Sequence, residues 1–342
     1  MLKKPQSIIT LLLFLGLWYQ TCLAQDHYFG TLYNVKSRPL ALGGAFTSIE
    51  DDLETVSYNP ATFNIYNSKK DHRITLFLNP LASFFAFQEY KNNHQQKNNE
   101  TALWEAAALF VKAIVFSGRF IDMGIIAGEE PIKKIHDNHS PTAFYFNDLW
   151  DNSTNTFFMS LKLAKKLSIG FSGILYHDRS GNKLRKEIGY NYGILLKPNH
   201  KLNVGLSYMD FPKEMSDLHL CLDRMDDETM NVGISYKLTS STIFSLDVRN
   251  LTEEKRENVR ELHFGFEQSI FDISALCFGF YKEKPTNTNC YSVGIGILDS
   301  NLIYKAKDRF SHHDFIINYT YIYQESMDKF YRWHFFSLLF RI

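Results

Sequence analysis

Residues Ser37 to Ala61 read SRPLALGGAFTSIEDDLETVSYNPA, and the interpretation of the whole chain depends on this stretch. It is too short to form a domain, and it carries the glycine pair Gly43-Gly44 near its start. A long series of alternating strand patterns follows it, so the stretch needs a host that buries it. We expect that host to be a closed β-barrel whose bore the stretch fills.

The first residues are typical of a secretion signal. Lys3 and Lys4 precede an apolar run over 8–18, and small residues stand just before Gln25. We therefore expect residues 1–24 to be a cleaved signal peptide. The alternative is a single N-terminal membrane anchor, for which this run is short.

Composition leaves two classes of protein open. The chain has 342 residues, a formal net charge of zero and 15% aromatic residues. A balanced charge disfavours nucleic acid as a partner, because nucleic-acid-binding proteins carry a basic excess. Past residue 25, no apolar run approaches the roughly 18 residues of a membrane-spanning helix. A soluble two-domain protein and an outer-membrane β-barrel both fit, since a barrel's inner face is polar.

From Arg73 onward the chain alternates between apolar and polar residues. Clear examples are the segments 167–176, 202–209, 230–238, 244–249 and 261–267. Because successive strand side chains point to opposite faces, each segment has one apolar and one polar face. The connections also alternate. Short ones are at 165–166, 238–241, 268–269 and 299–300, and longer polar ones are at 129–153, 178–185, 211–228, 251–258 and 282–288. This asymmetry is typical of bacterial outer-membrane barrels.

Aromatic residues near the segment ends suit the lipid headgroup level. The tyrosines concerned are Tyr176, Tyr190, Tyr192, Tyr208, Tyr236, Tyr281, Tyr291, Tyr319, Tyr321 and Tyr323. At the C-terminus, Phe336, Leu338, Phe340 and Ile342 share one face. That ending resembles the terminal strand by which the barrel assembly machinery recognises outer-membrane proteins, although most such strands end in Phe or Trp. The resemblance implies this machinery as a partner.

We therefore predict an all-β fold: a transmembrane antiparallel up-and-down β-barrel of about fourteen strands, an even number, with an N-terminal hatch segment inside its bore. The predicted divisions are a signal peptide over 1–24, a hatch or plug over 25–70 and an outer-membrane barrel over 71–342. Two regions are ambiguous. One is 101–128, interpreted as a helical turn followed by strands at about 107–117 and 121–128. The other is 301–323, which fits one bent strand or two.

The opening stretch is similar to the N-terminal signature of the FadL-like outer-membrane superfamily. The matching residues are Gly43, Gly44, Asp51, Asp52, Asn59, Pro60 and Ala61. That superfamily includes long-chain fatty-acid transporters, the PorV and PorQ proteins of type IX secretion, and TraF-like relatives. This chain has Thr62 where many members have Gly or Leu. The resemblance implies a hatch of about residues 26–70 inside the barrel.

The motif also has a physical interpretation. Adjacent glycines allow close backbone approach to a wall or positive φ, and Asn59-Pro60 favours a turn before the first strand. The acidic pair Asp51-Asp52 is costly to bury unless cations such as Lys162, Lys237, Arg249 or Arg341 meet it. The alternative is a solvated acidic loop facing the periplasm. Candidate lumen residues are Lys162, Lys237, Asp247, Arg249, Glu261, His263 and Glu267.

The sequence offers no convincing catalytic or metal site. His177 and Asp178 lie beside Ser180 at a strand end, where solvated polar residues are ordinary. The acidic run Asp223, Asp226, Asp227 and Glu228 lacks the spacing of a calcium loop. After signal cleavage, Cys221, Cys277 and Cys290 remain, an odd number without metal-like spacing, which allows at most one disulfide. We expect no enzyme activity, cofactor or metal.

Three functions remain open. The resemblance to fatty-acid transporters, with a bore mixing Phe158, Met209 and Phe278 among polar residues, favours passive transport of small hydrophobic or amphipathic molecules. The resemblance to PorV and PorQ favours a scaffold or shuttle for secreted proteins, bound by the loops 129–153 and 211–228. A structural barrel without traffic is the third. The expected partners are therefore the outer-membrane bilayer and either a hydrophobic small molecule or a secreted protein.

Overall fold

The computed structural model describes residues 26–31, 35–65, 72–84, 110–129, 152–180, 183–210, 228–252, 260–270, 273–284, 287–299, 315–326 and 329–342. The predicted signal peptide lies outside these residues, as do Cys221 and most of the longest predicted loops. Within the described part of the chain, no helix is both long and apolar enough to span a bilayer.

The described strands form one sheet of sixteen. Their bounds are β1 Asp26–Thr31, β2 His72–Leu78, β3 Val111–Gly118, β4 Ile121–Glu129, β5 Asn152–Ala164, β6 Leu167–Ser180, β7 Lys183–Leu196, β8 Leu202–Asp210, β9 Glu228–Thr239, β10 Thr242–Arg249, β11 Glu261–Ile270, β12 Ser274–Glu283, β13 Thr288–Asp299, β14 Phe315–Ser326, β15 Lys329–Leu338 and β16 Phe340–Arg341.

Strands β2 to β15 are antiparallel neighbours in chain order, which makes an up-and-down meander of fourteen strands. The strand β16 continues β15 past Leu339 and pairs with β2, and Leu76 and Ile342 exchange backbone hydrogen bonds of 3.0 and 2.9 Å. The first and last strands therefore meet, and the sheet closes into a barrel. The predicted fold class is confirmed.

The strand β1 was not expected in the wall. It pairs in parallel with β15, from Asp26 beside Phe330 to Thr31 beside Phe335. Counting β15 and β16 as one, the sheet has fifteen strands rather than an even number. Residues 26–31 were expected in the plug, because their pattern is too short to reveal a strand whose partner lies at the other end of the chain.

The two faces of the wall differ as the alternation predicts. In β11, Leu262 and Phe264 are exposed on the outside, whereas Glu261, His263 and Glu267 are buried on the inside. The outward tyrosines include Tyr190, Tyr192, Tyr236 and Tyr291. An apolar exterior around a polar interior is the arrangement of a membrane β-barrel, so the surroundings of this wall are a lipid bilayer.

Three side chains face the side opposite to that expected, and two of them lie in β12. Tyr176, predicted in the outer aromatic belt, lies on the inner face of β6, which it shares with the buried Ser172 and Ile174. Tyr281, predicted in the outer aromatic belt, is buried inside and stacks on His263 with ring centroids 4.4 Å apart. Phe278, predicted to line the bore, lies on the outer face against Phe266. The two errors in β12 have one cause: β12 runs with its odd-numbered residues inward, and its composition is apolar on both faces.

One end of the barrel carries tight connections, and we call it the turn end; the other is the loop end. Two predicted long connections at the loop end are in fact short. Strands β6 and β7 continue to Ser180 and Lys183, and β12 and β13 are separated by four residues. Cross-strand pairs such as Asp178–Arg185 extend the ladder through residues whose polarity suggested a loop.

The ambiguous regions are partly resolved. Strands β3 and β4 follow one another through Arg119-Phe120, close to the predicted bounds. In the second region, β14 is a single strand that begins at Phe315, and residues 300–314 lie outside the described part of the chain. At the C-terminus, Phe340 and Ile342 are exposed on the outer face as expected.

Candidate functional site

Residues 35–65, which we call the inner segment, lie against the inner face of the barrel. They include a short helix α1 (Ser37–Ala41) and two 3₁₀ turns, Leu53–Thr55 and Pro60–Thr62. All of their side chains are buried except those of Lys36, Glu50, Ser57 and Asn64, which are partly exposed. Contacts run from α1 to β12–β15 and from the second 3₁₀ turn to β5–β7. The segment therefore reaches opposite sides of the wall.

Gly43 is the point of closest approach to the wall at β12. Its φ is +61°, and a Cβ would overlap the backbone nitrogen of Phe280. Its amide donates to the Ser292 hydroxyl at 3.1 Å, and its carbonyl lies 2.6 Å from Nδ1 of His263. Only glycine combines this conformation with this contact. The predicted role of the glycine pair as a close-approach element fits this geometry.

A buried ion pair joins the segment to β11. The Arg38 guanidinium donates from Nε to Glu267 Oε2 at 2.7 Å and from Nη2 to Oε1 at 2.9 Å, and Nη1 pairs with Asp51. Burial alone would lower the pKa of Arg38, but the carboxylates of Asp51 and Glu267 raise it well above its usual value. Arg38 of the same segment is thus one cation beside Asp51, and it was not among the cations that the sequence suggested.

Acidic residues continue beside this pair. Asp52 is buried, and its side chain caps the first 3₁₀ turn at the Glu54 amide. Glu54 is also buried, and its Oε1 has no hydrogen-bond partner among the described residues. Burial, followed by the negative charges of Asp51 and Asp52, raises the pKa of Glu54 well above its usual value.

The lumen candidates on β10 and β11 bind backbone groups of the inner segment. Asp247 Oδ2 accepts hydrogen bonds from the amides of Phe46 and Thr47 at 2.9 and 2.8 Å. The Arg249 guanidinium donates to the Gly44 carbonyl and lies 5.3 Å from the centre of the Tyr58 ring. These residues come together as wall-to-segment contacts.

His263 lies between the inner segment and a second lumen candidate. Its Nε2 is 3.2 Å from Glu261 Oε2, while Nδ1 faces the Gly43 carbonyl. Both ring nitrogens therefore have partners, and the ring stacks on Tyr281. The group is a polar contact between the wall and the inner segment.

The Asn59-Pro60-Ala61 motif ties the end of the segment to β7. Asn59 Nδ2 donates to the carbonyls of Thr47 and Ile194 at 2.7 and 3.2 Å, and its Oδ1 accepts from the Ala61 amide at 3.0 Å. Pro60 begins the second 3₁₀ turn, where its missing amide costs nothing. One side chain thus joins two parts of the segment to the wall.

Towards the turn end, partly exposed charges edge the segment. Glu50 pairs with Lys197 at 2.6 Å and accepts from Asn64 at 3.2 Å. Lys162 pairs with Asp122 at 2.7 Å and lies 3.4 Å from Asn64 Oδ1. Lys237, the remaining lumen candidate, sits near this end on β9 and is partly buried.

A row of wall glycines contacts the segment, and it was not predicted from the sequence. The members of this glycine belt are Gly170, Gly193, Gly205, Gly233, Gly265, Gly279 and Gly294, and a Cβ at each would overlap atoms of the segment or of side chains that hold it. They lie at similar levels, because Gly170 pairs with Gly193, Gly205 with Gly233 and Gly265 with Gly279 across neighbouring strands. The available signal was a glycine at an inward position in six of the seven strands from β6 to β12; in β10 the corresponding position is Ser245.

The opposite side of the bore carries a cluster of apolar side chains. Phe77, Ala113, Val115, Ile126 and Phe158 face inward from β2 to β5. They form one buried cluster with Val35, Leu53, Val56, Phe63 and Ile65 of the inner segment. We call this cluster the apolar sector. The segment is thus held by polar contacts and glycines on one side and lies against apolar side chains on the other.

Other candidates have no comparable setting. The side chains of His177, Asp178 and Ser180 lie outside the described part, as do Asp223, Asp226 and Asp227. Cys277 and Cys290 are buried on neighbouring strands, and their thiols are reduced. Met209 is buried on the inner face of β8 as expected, beside Asn231.

Comparisons with known proteins find similarity in three-dimensional structure only. No protein-family model matches the chain, and no curated protein matches it. The toluene transporter TbuX of Ralstonia pickettii is similar over 87% of this chain and 94% of its own, with 12% identity and a TM-score of 0.41. A triple mutant of Rhodopseudomonas blastica porin is similar over 67% of this chain and 75% of its own, with 8% identity and a TM-score of 0.34.

Proposed function

We propose that this chain is a bacterial outer-membrane transport barrel in which the inner segment is a hatch and small hydrophobic or amphipathic molecules cross along the apolar sector. The observation that carries the proposal is the two-sided lining of the bore. A water-filled diffusion pore has a polar lining, whereas β2 to β5 contribute five inward apolar side chains that form one buried cluster with the segment.

The contacts of the segment support movement along that side. Its polar anchors lie on the opposite wall: Glu267, Asp247 and Ser292 hold Arg38, Phe46 and Gly43. The contacts within the apolar sector are dispersion and hydrophobic contacts, which an apolar ligand can replace without leaving a polar group unpaired. Displacement of side chains in the apolar sector therefore costs less than displacement of the anchored side.

In this proposal the turn end faces the periplasm and the loop end faces the exterior, with a cleaved signal at 1–24 and the C-terminal strand recognised by the barrel assembly machinery. The alternative, a PorV- or PorQ-like secretion scaffold, depends on the loops 129–153 and 211–228, which lie almost entirely outside the described residues.

The test is uptake of a labelled long-chain fatty acid or aromatic hydrocarbon by cells with and without the protein. Expression should raise uptake, and Val115→Thr with Ile126→Thr should reduce it by placing hydroxyls in the apolar sector. The matched control is Ile114→Thr with Ile125→Thr, which changes outward neighbours that are more than half exposed.

Equal amounts of folded barrel must be confirmed for each variant. Uptake that is the same with and without the protein would contradict transport. If cells without the protein also lost a secreted protein from their surface, the scaffold function would replace transport.

A further inference from the structure

The turn end of the wall between β3 and β8 is strongly basic. Three consecutive connections at this end carry Arg119, Lys165, Lys166 and Lys201, which we call the basic arc. The first three are exposed and Lys201 is partly exposed. Because these connections join neighbouring strand pairs, the four cations follow one another around the rim.

The described acidic residues near this rim do not neutralise the arc. Asp122 is fully buried and pairs with Lys162, and Glu50 pairs with Lys197. Each of these carboxylates thus has its own inward lysine. Four positive charges remain on the rim in this part of the described chain.

The loop end differs. There, described cations stand beside carboxylates: Lys186 precedes Glu187, Arg260 precedes Glu261, and Lys284 follows Glu283. The next turn-end connection, between β9 and β10, holds only Thr239, Ser240, Ser241 and Thr242. The positive charge is therefore a local property of one arc.

The arc lies at the edge of the membrane-facing surface. Phe120, Leu163 and Leu196 point outward, and their side chains are 61%, 58% and 46% exposed. Each lies close in sequence to a cation of the basic arc or to a turn-end connection. The Arg119 guanidinium carbon lies 5.1 Å from the centre of the Phe120 ring. Apolar side chains of this kind enter the acyl region, which puts the cations beside them at headgroup phosphate level.

We propose that the basic arc is a binding surface for the phosphates of anionic phospholipids in the leaflet at the turn end. Guanidinium and ammonium groups bind phosphate oxygens by charge-assisted hydrogen bonds, and several cations within about 10 Å of a charged surface act together. Each cation is expected to strengthen binding by about fivefold. The proposal rests on the membrane barrel and does not depend on what the barrel transports.

The experiment is native mass spectrometry of the detergent-purified full chain with phosphatidylglycerol and phosphatidylcholine in equal amounts. Wild type should retain phosphatidylglycerol preferentially. The variant R119Q/K165Q/K166Q/K201Q should lose that preference by at least an order of magnitude, whereas K186Q/R260Q/K284Q at the loop end should retain it.

A further variant, K165R/K166R/K201R, keeps the charge and should keep the preference, which separates loss of charge from loss of folding. Equal retention of both lipids by wild type would overturn the proposal. So would an equal loss in the loop-end control, or displacement of the lipid by excess inorganic phosphate, which would assign the arc to free anions.

Discussion

Arg38 of the inner segment and Glu267 of β11 form a two-point ion pair, with nitrogen–oxygen distances of 2.7 and 2.9 Å and both side chains almost completely buried. The two residues are separated by 229 positions in sequence. Their contact joins the segment to the wall inside the bore. A buried pair of this kind adds little net stability over apolar residues, but it is costly to break on one side.

We expect Arg38→Met to destabilise the protein by about 3–5 kcal/mol, because Glu267 and Asp51 would be left buried without their cation. The double variant Arg38→Met/Glu267→Gln should recover part of this loss. The measurement is the midpoint of urea unfolding in phospholipid vesicles. Equal destabilisation by the single and double variants would show that the two side chains are not coupled.

The glycine belt predicts a position-specific effect of adding one methyl group. Gly193→Ala and Gly205→Ala should each cost about 1–3 kcal/mol, since the new Cβ would overlap Asn59 or Thr47. Gly173→Ala is the matched control, because its nearest atom, Phe171 Cζ, is 3.9 Å away. Protection of the inner segment against protease should fall only in the first two variants. Equal protection in all three would refute close packing at the belt.

Glu54 predicts a pH dependence with a definite sign. Its folded pKa lies above the unfolded value, so the folded state binds the proton more tightly. Its contribution to stability is therefore fully present below the unfolded pKa and is lost as the pH rises through the folded pKa. Glu54→Gln should remove this part of the pH dependence. The measurement is the unfolding midpoint of wild type and of Glu54→Gln at a series of pH values from acid to neutral. The same change of midpoint with pH in both proteins would contradict the prediction.

Asn59 predicts a difference between two similar substitutions. Asn59→Asp keeps the acceptor for the Ala61 amide but removes the donors to Thr47 and Ile194 and puts a carboxylate against their carbonyl oxygens. Asn59→Ser removes the long-range bonds without adding charge, and serine still caps a helical turn. We expect the free energy of unfolding to fall by about 1–3 kcal/mol more in the aspartate variant than in the serine variant, measured in the same unfolding assay. Equal losses would mean that the donors are not buried against these carbonyls.

The wall was predictable because its surroundings impose a period of two on every strand. Lipid outside and polar contacts inside leave Leu262 and His263 on opposite faces, and this contrast is visible in the sequence alone. The prediction failed where the contrast is weak, as at Phe278 and Tyr281 of β12. It also failed at β1, since pairing of Asp26 with Phe330 leaves no local signal.

The interior was less predictable because its contacts join distant parts of the chain. The motif residues Gly43 and Asn59 were identified, and so were Asp247 and Glu267 as inward polar residues. Which of these residues contact one another could not be derived. The alternation of a strand fixes the face on which a side chain lies, but it does not say which part of the chain enters the bore. Arg38 was missed for that reason. The glycine belt was missed although the sequence carries its signal, an inward glycine in most of the strands from β6 to β12, because the role of these glycines becomes clear only once the segment is in place.

The most direct test of the central claim, that residues 35–65 lie inside the barrel, is a cross-link between Ser37 and Thr320. Their hydroxyl oxygens are 3.0 Å apart, which places the two side chains within reach of a disulfide. In a background without Cys221, Cys277 and Cys290, Ser37→Cys/Thr320→Cys should cross-link in intact cells on mild oxidation. Ser37→Cys/Tyr321→Cys, which uses the outward neighbour, should not. Absence of the first cross-link in correctly folded barrels, or equal cross-linking of both pairs, would contradict the account.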